Sequence, residues 1–209
     1  MKIVEPKRTK KYEEHLTLFR KPGYFDNLTV TSTTFWGAVR TLRAHPASIK
    51  LFLDSFVESC ASSTDLREEL RKRFFAQNEK IHDTIASRIY YDSSVLDLGA
   101  GIGCLKDMLD AHGKIVEYHA HDISERLLGL NPAAEDDKYC CDFEDLYDLA
   151  GCKRFDFVVD CSATHNLGYK ESEHELLLQK LTKLGNIYIY HGAAEPKIDR
   201  KQLRNIVVI

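Results

Sequence analysis

The chain has 209 residues, 44% of them hydrophobic, enough to bury a sizeable core in one large domain or in one domain with a helical addition. A net charge of −3 supplies no global field that would draw it onto nucleic acid or an anionic membrane, and no apolar run reaches the length of a bilayer span. The opening MKIVEPKRTKKYEEH lacks the apolar stretch of a signal peptide, so a cytoplasmic protein is the expectation.

The first stretch, to about Thr34, carries a basic cluster of Lys7, Arg8, Lys10 and Lys11 and a turn signal at Pro22-Gly23. A solvated arm is expected there, with a flap over a ligand as the alternative. Helical patterns follow. Ile49, Phe52, Leu53, Phe56, Val57 and Cys60 recur at steps of three and four after the start signal His45-Pro46. Ser63 and Thr64 are placed to cap a helix carrying Leu66, Leu70 and Phe74, and Ile81, Ile85 and Ile89 form a further stripe. Residues 1–90 therefore read as an arm and a helical cap.

From Ser94 the pattern changes to alternating strands and helices. Ser94 to Leu98 is a short buried strand, Leu105, Met108 and Leu109 mark a helix that Gly113 can end, and Ile115 to His121 is a second strand. Lys138 to Cys141 and Phe155 to Val159 are the third and fourth. Leu176 to Leu184 is a helix stopped by Gly185, and Asn186 to Tyr190 is the fifth strand. This alternation predicts an α/β fold with mainly parallel strands and right-handed crossovers over residues 91–209.

Val95-Leu96-Asp97-Leu98-Gly99-Ala100-Gly101-Ile102-Gly103-Cys104 runs a strand into a glycine-rich turn and a helix. Glycines there let a ligand approach the backbone, and open parallel sheets bind ligands beyond the carboxyl ends of their strands. A dinucleotide fingerprint needs G-x-G-x-x-G/A. Here the last glycine falls one residue early, at Gly103, giving D-x-G-x-G-x-G. This resembles the first motif of class I S-adenosylmethionine (SAM)-dependent methyltransferases, over about Ser93 to Ala194. The resemblance implies a Rossmann-like sheet, SAM as cofactor, and cofactor contacts from Asp97, Gly99, Ala100, Gly101, Gly103, Asp122, Ile123, Asp142, Phe143 and Cys161. Asp122, ending the second strand, would accept from both ribose hydroxyls. Asp142 would accept from the adenine amine, and Phe143 would cover the ring. The competing expectation for Asp122 and Asp142 is that they cap helices or turns.

In the loop Asp160-Cys161-Ser162-Ala163-Thr164-His165-Asn166, His165 is the candidate base and Asn166 a candidate for orienting substrate. The aromatics Tyr12, Tyr24, Phe25, Phe35 and Trp36 are expected in core packing first, and around a sulfonium or apolar substrate second. The six cysteines form no CxxC pair, so reduced thiols are expected, with no metal site. The resemblance implies methyl transfer to an acceptor, taken as a small molecule and not a nucleic acid. The alternatives are other sulfonium chemistry (aminocarboxypropyl transfer or cyclisation), a non-catalytic partner subunit and an NAD-dependent oxidoreductase. One departure stands out. Members of that family add a helix and an antiparallel strand pair after the fifth strand, whereas only residues 191–209 follow here. Asp199 to Asn205 reads as a helix and Ile206 to Ile209 as a single strand, which makes a shortened end, or pairing of that strand with a second copy in a homodimer, an expectation.

Overall fold

A computed structural model describes residues 1–25, 32–61, 63–72, 78–167, 169–192 and 206–209. Phe74 and the expected helix at Asp199–Asn205 lie outside these residues. The apolar runs form strands as expected: β2 (Ser94–Leu98), β5 (Phe155–Cys161) and β6 (Gly185–His191). Between them lie β3 (Glu117–Asp122) and β4 (Lys138–Cys140). Two further strands flank these, β1 (Lys2–Ile3) and β7 (Ile206–Val208). The seven strands form one sheet in the order β1-β4-β3-β2-β5-β6-β7, every neighbouring pair parallel. Counted from β2, this is the doubly wound order, and the chain reverses direction between β2 and β5. Carboxyl ends therefore share one edge of the sheet, where that reversal opens a crevice.

The amino end departs from the expected solvated arm. Lys7, Arg8, Lys10 and Lys11 are exposed, but β1 pairs with β4, and Val4 N–H donates to the Cys140 carbonyl at 2.9 Å. Helix α1 (Tyr12–Phe19) follows and buries Phe19. The far edge departs as well. β7 runs parallel to β6, with Tyr188 opposite Ile206, so the last strand extends its own sheet.

Ten α-helices are described. After α1 come α2 (Ser32–Thr41), α3 (Pro46–Ser59), α4 (Leu66–Leu70) and α5 (Glu79–Arg88). Proline at the first position of α3 loses no hydrogen bond, which is why His45-Pro46 starts it. The cap of α4 is Asp65, not Ser63 or Thr64; its carboxylate accepts from Glu68 N–H at 3.0 Å. The sheet helices are α6 (Cys104–Ala111), α7 (Glu125–Gly129), α8 (Phe143–Ala150), α9 (Ala163–Asn166) and α10 (Glu171–Leu181). α10 ends at Leu181, ahead of a 3-10 turn over Thr182–Leu184, so Gly185 is not its stop signal. Gly185 instead opens β6 where a side chain would not fit: an added Cβ would meet Val158 Cγ2 at 2.6 Å.

Both sheet faces are covered. On one, Leu96, Tyr139 and Tyr188 pack against Leu146 of α8 and Leu177, Leu178 and Leu181 of α10. On the other, Val95, Phe157 and Val159 pack against Ile85 and Ile89 of the α5 segment and Leu105 and Leu109 of α6. A third core forms the cap. Phe52 is fully buried, with its ring 5.3 Å from Phe19, 5.4 Å from Phe25 and 5.2 Å from Phe35. Ile102, from the glycine turn, and Leu127, from α7, are part of this core, and they hold the cap over the carboxyl ends of the strands.

Phe52→Ala removes the ring at the centre of that cluster and is expected to destabilise by about 3–5 kcal/mol. A thermal melt followed by circular dichroism should fall by about 10 °C. Leu176→Ala, at an exposed position on α10, should leave the midpoint nearly unchanged.

Candidate functional site

A cavity with about 1040 Å³ of empty space, part of it open to solvent, lies between the cap and the carboxyl ends of β2 to β5. It is large enough for a nucleoside cofactor and a small second ligand. Its floor is the glycine turn. Gly99, Gly101 and Gly103 all have positive φ, at 64°, 50° and 84°. At Gly99 a Cβ would also sit 2.5 Å from Ala163 Cβ, so the turn passes too close to α9 for a side chain.

One carboxylate holds this turn against the sheet. Asp122 Oδ2 accepts from Gly101 N–H at 3.0 Å and Oδ1 from Ser124 N–H at 2.9 Å. From the other side, Asn131 Nδ2 donates to the Gly101 carbonyl at 3.1 Å. The cap adds a clamp: Arg67 of α4 donates through Nε and Nη2 to the Ile102 carbonyl, at 3.1 and 2.9 Å, and through Nη2 to Asp107 at 2.7 Å. Short helix α4 is thereby tied to both the turn and the first turn of α6.

Asp97, Gly99, Ala100, Gly101, Asp122, Ile123, Asp142, Phe143 and Cys161 line this cavity, as does Asn166. Gly103 and His165 do not. Gly103 is the packing glycine of the turn, since a Cβ there would meet Pro132 Cδ at 2.5 Å. His165 is half-buried and stands outside the lining, its pKa lowered by burial, then by Arg40 and His191. Asn166 is held by its backbone, Arg40 Nε donating to its carbonyl at 3.2 Å. Asp142 fills the capping role as well as lining the cavity: its Oδ1 accepts from Glu144 and Asp145 N–H at 2.9 and 3.1 Å. Asp160 is a structural anchor. It is buried and accepts from Ala163 and Thr164 N–H, the Thr164 hydroxyl and the Tyr188 hydroxyl.

The carboxylates set the electrostatics. Burial pushes the Asp97 carboxyl up to about 7; the Tyr118 hydroxyl, donating at 2.6 Å, opposes this, and Asp122 and Asp160 add to it. Burial pushes Asp122 up to about 6 against the N–H bonds of Ser124 and Gly101. Among the described residues neither is paired with a cationic side chain. Two cavity histidines move the other way. Burial lowers both His82 and His121 to about 4, with His191 adding to the shift at His82. Their rings are therefore neutral at pH 7. His121 Nε2 is 3.1 Å from the Cys141 carbonyl, which fixes the proton on Nε2, and its ring lies 4.8 Å from that of Phe143. Nδ1 of each histidine is buried with no hydrogen-bond partner among the described residues.

Several lining residues come from elements with no ligand motif: Val39 and Arg43 near the end of α2, His82 on α5, and Tyr169 before α10. Trp36 of α2 also lines the cavity, while Phe25 and Phe35 are in the cap core. A signal for His82 existed, because it falls on the buried face that Ile85, Ala86 and Ile89 define. Away from the cavity, Glu117, His119 and Asp137 gather closely enough to suggest metal ligands. Lys153 supplies the positive charge there, donating to Glu117 Oε1 at 2.8 Å and to His119 Nε2 at 2.9 Å.

No family model matches this chain, and no curated protein does. Among solved structures it is similar to the plantazolicin methyltransferase BpumL in complex with S-adenosylhomocysteine, at 16% identity and a TM-score of 0.44, over 74% of this chain and 58% of that one. It is also similar to the bifunctional kinase-methyltransferase WbdD, at 16% identity and a TM-score of 0.42, over 63% of this chain and 34% of that one. A third is a SAM-dependent methyltransferase from Bacteroides fragilis, in complex with S-adenosylhomocysteine, at 23% identity and a TM-score of 0.38, over 50% of this chain and 41% of that one. In each case the match spans less than two thirds of the other chain.

Asp97 binds its proton more tightly in the folded chain than in the unfolded one, so its burial increasingly destabilises the ligand-free protein as pH rises from about 4 to about 7. Asp97→Asn keeps a partner for the Tyr118 hydroxyl and removes the titration. The melting temperature of the variant relative to the unmodified chain should therefore rise between about pH 4 and about pH 7 and level off above that. A difference independent of pH would show that Asp97 does not titrate in this window. Gly99→Ala should reduce both stability and ligand binding, since it combines a strained φ with the contact to Ala163.

Proposed function

We propose that the cavity binds S-adenosylmethionine and that the protein transfers its methyl group to a small acceptor. The observation that carries this reading is the convergence of Asp97, Asp122 and Asp142, from three successive strands, around one glycine turn in one cavity. The donor set suits the ligand. Two buried carboxylates without a cationic partner favour a group that brings positive charge of its own, as a sulfonium and an ammonium do.

In this reading Asp122, already fixed by two backbone N–H groups, uses its remaining lone pairs for the ribose hydroxyls. Asp142 accepts from the adenine amine, and Phe143 covers the base. Asp97, steadied by Tyr118, faces the methionyl end. When bound, SAM supplies a methyl group activated by the positive sulfur. The protein then has to align the acceptor and exclude water. Trp36, Val39, Ile49 and Leu53 form an apolar wall suited to both tasks. The neutral ring of His82 is available to take a hydrogen bond from an acceptor, a role that His165, outside the lining, does not fill.

One observation favours a second reading. The parallel β7 completes a sheet whose order, from β2 onward, is that of dinucleotide-binding domains. The early glycine at Gly103 argues against it, and a binding experiment separates the two. Calorimetry with SAM, S-adenosylhomocysteine and NAD should show binding of the first two. Asp122→Ala should weaken S-adenosylhomocysteine by about 1 kcal/mol or more, without loss of fold. Preference for NAD, or unchanged affinity in the variant, would overturn the assignment. Product analysis with an acceptor should then find S-adenosylhomocysteine; methylthioadenosine would mean that another arm of the sulfonium is transferred.

A further inference from the structure

Asp54 lies on α3, in the cap, and does not line the cavity. Its carboxylate nevertheless reaches the tip of β3. Oδ1 accepts from the Ser124 hydroxyl at 2.7 Å and from Arg126 N–H at 3.2 Å, so a cap residue closes the first turn of α7 from outside that helix. Oδ2 accepts from Lys50 Nζ at 2.9 Å. Lys50 is itself within 3.8 Å of Glu5 and 3.7 Å of Glu125, which draws the amino-terminal segment into the same cluster. Ser124 is completely buried: its hydroxyl donates to Asp54 and accepts from Leu127 N–H at 3.1 Å, and its N–H donates to Asp122 Oδ1 at 2.9 Å.

We propose that Asp54 is a positioning residue for the nucleoside site, setting the Asp122 carboxylate through Ser124. This rests on the reading of Asp122 as the ribose-binding acid. Among the described residues the Asp122 carboxylate accepts from Gly101 N–H at 3.0 Å and Ser124 N–H at 2.9 Å, with the Ile123 N–H also against it. Loosening the Ser124 contact lets the carboxylate tilt about its side-chain torsion, and the two ribose hydroxyls lose their aligned acceptor. Placing a second carboxylate close to Asp122 opposes ionisation of Asp122. That arrangement persists because Asp54 is paired with Lys50 and accepts hydrogen bonds from the Ser124 hydroxyl and Arg126 N–H. The connection also joins the cap to the cofactor half of the cavity by a route separate from the apolar contacts of Ile102 and Leu127.

The test is calorimetric titration of the full chain with S-adenosylhomocysteine and with its 2′-deoxyribose analogue. For the unmodified protein, removing the 2′-hydroxyl should weaken binding about tenfold. Asp54→Ala should weaken S-adenosylhomocysteine about five- to tenfold and the deoxy analogue by less, about two- to threefold, because the analogue already lacks one of the two hydroxyl contacts to Asp122. Asp54→Asn, which keeps an oxygen facing Ser124, should return S-adenosylhomocysteine to within about threefold of the unmodified protein. Unchanged affinity in Asp54→Ala, or equal weakening of both ligands, overturns the proposal; the second result would mean that Asp54 merely holds the cap. Ser124→Ala breaks the same link from the other side and is read in the same way if Asp54→Ala does not fold. Failure of the unmodified protein to bind either ligand is a different outcome: it removes the cofactor reading, and this inference with it.

Discussion

Two backbone N–H groups, of Gly101 and Ser124, converge on the buried carboxylate of Asp122. A carboxylate away from water is tolerable only when its charged form is hydrogen-bonded, and these two bonds meet that need with groups that cannot move independently of the fold. The glycine turn is thereby bound to the next strand and not to its own helix alone. Everything above the sheet is arranged around that joint. Arg67 reaches the turn from the cap, Asp54 reaches Ser124 from the cap, and Ile102 and Leu127 carry the cap's aromatic core down onto both. The cavity is the space left when these contacts are all made.

Those contacts explain which parts of the fold were legible in the residues. β2, β5 and β6 are covered on both faces and so appear as mainly apolar runs, which stand out without knowledge of the neighbours. β3 is Glu-Tyr-His-Ala-His-Asp, and its burial depends on hydrogen bonds and ring contacts from His121 and Tyr118; the run expected at Ile115 began two residues early because Ile115 itself is exposed. β1 has two residues and no pattern at all. It exists because β4 offers an open edge. Gly185 shows a further limit, since a glycine after a helical stripe reads as a stop, whereas here it makes room for Val158 on the adjacent strand.

The candidate site divides along the same line. The half lined by Asp97, Asp122 and Asp142 lies within three strand–loop units, each a few residues long, so those acids and the glycine spacing could be picked out one by one. Its other half is assembled from α2, α3, α5 and the segment before α10, and no local rule brings Arg43, His82 and Tyr169 to one wall. His165 illustrates the cost of reading a loop by composition. Ser162, in the left-handed region at φ 65°, precedes α9, and from that helix Ala163 and Asn166 line the cavity while His165 does not.

The pairing of β1 with β4 joins the first residues of the chain to Tyr139 and Cys140. During biosynthesis the amino end must therefore wait for two thirds of the polypeptide to emerge before it has anything to lie against, and a closure over so long a separation is slow to nucleate. Meanwhile β4 keeps an open flank, a template for strands of other molecules. The leading segment thus behaves as a late-arriving selvage: its docking covers that open flank of β4.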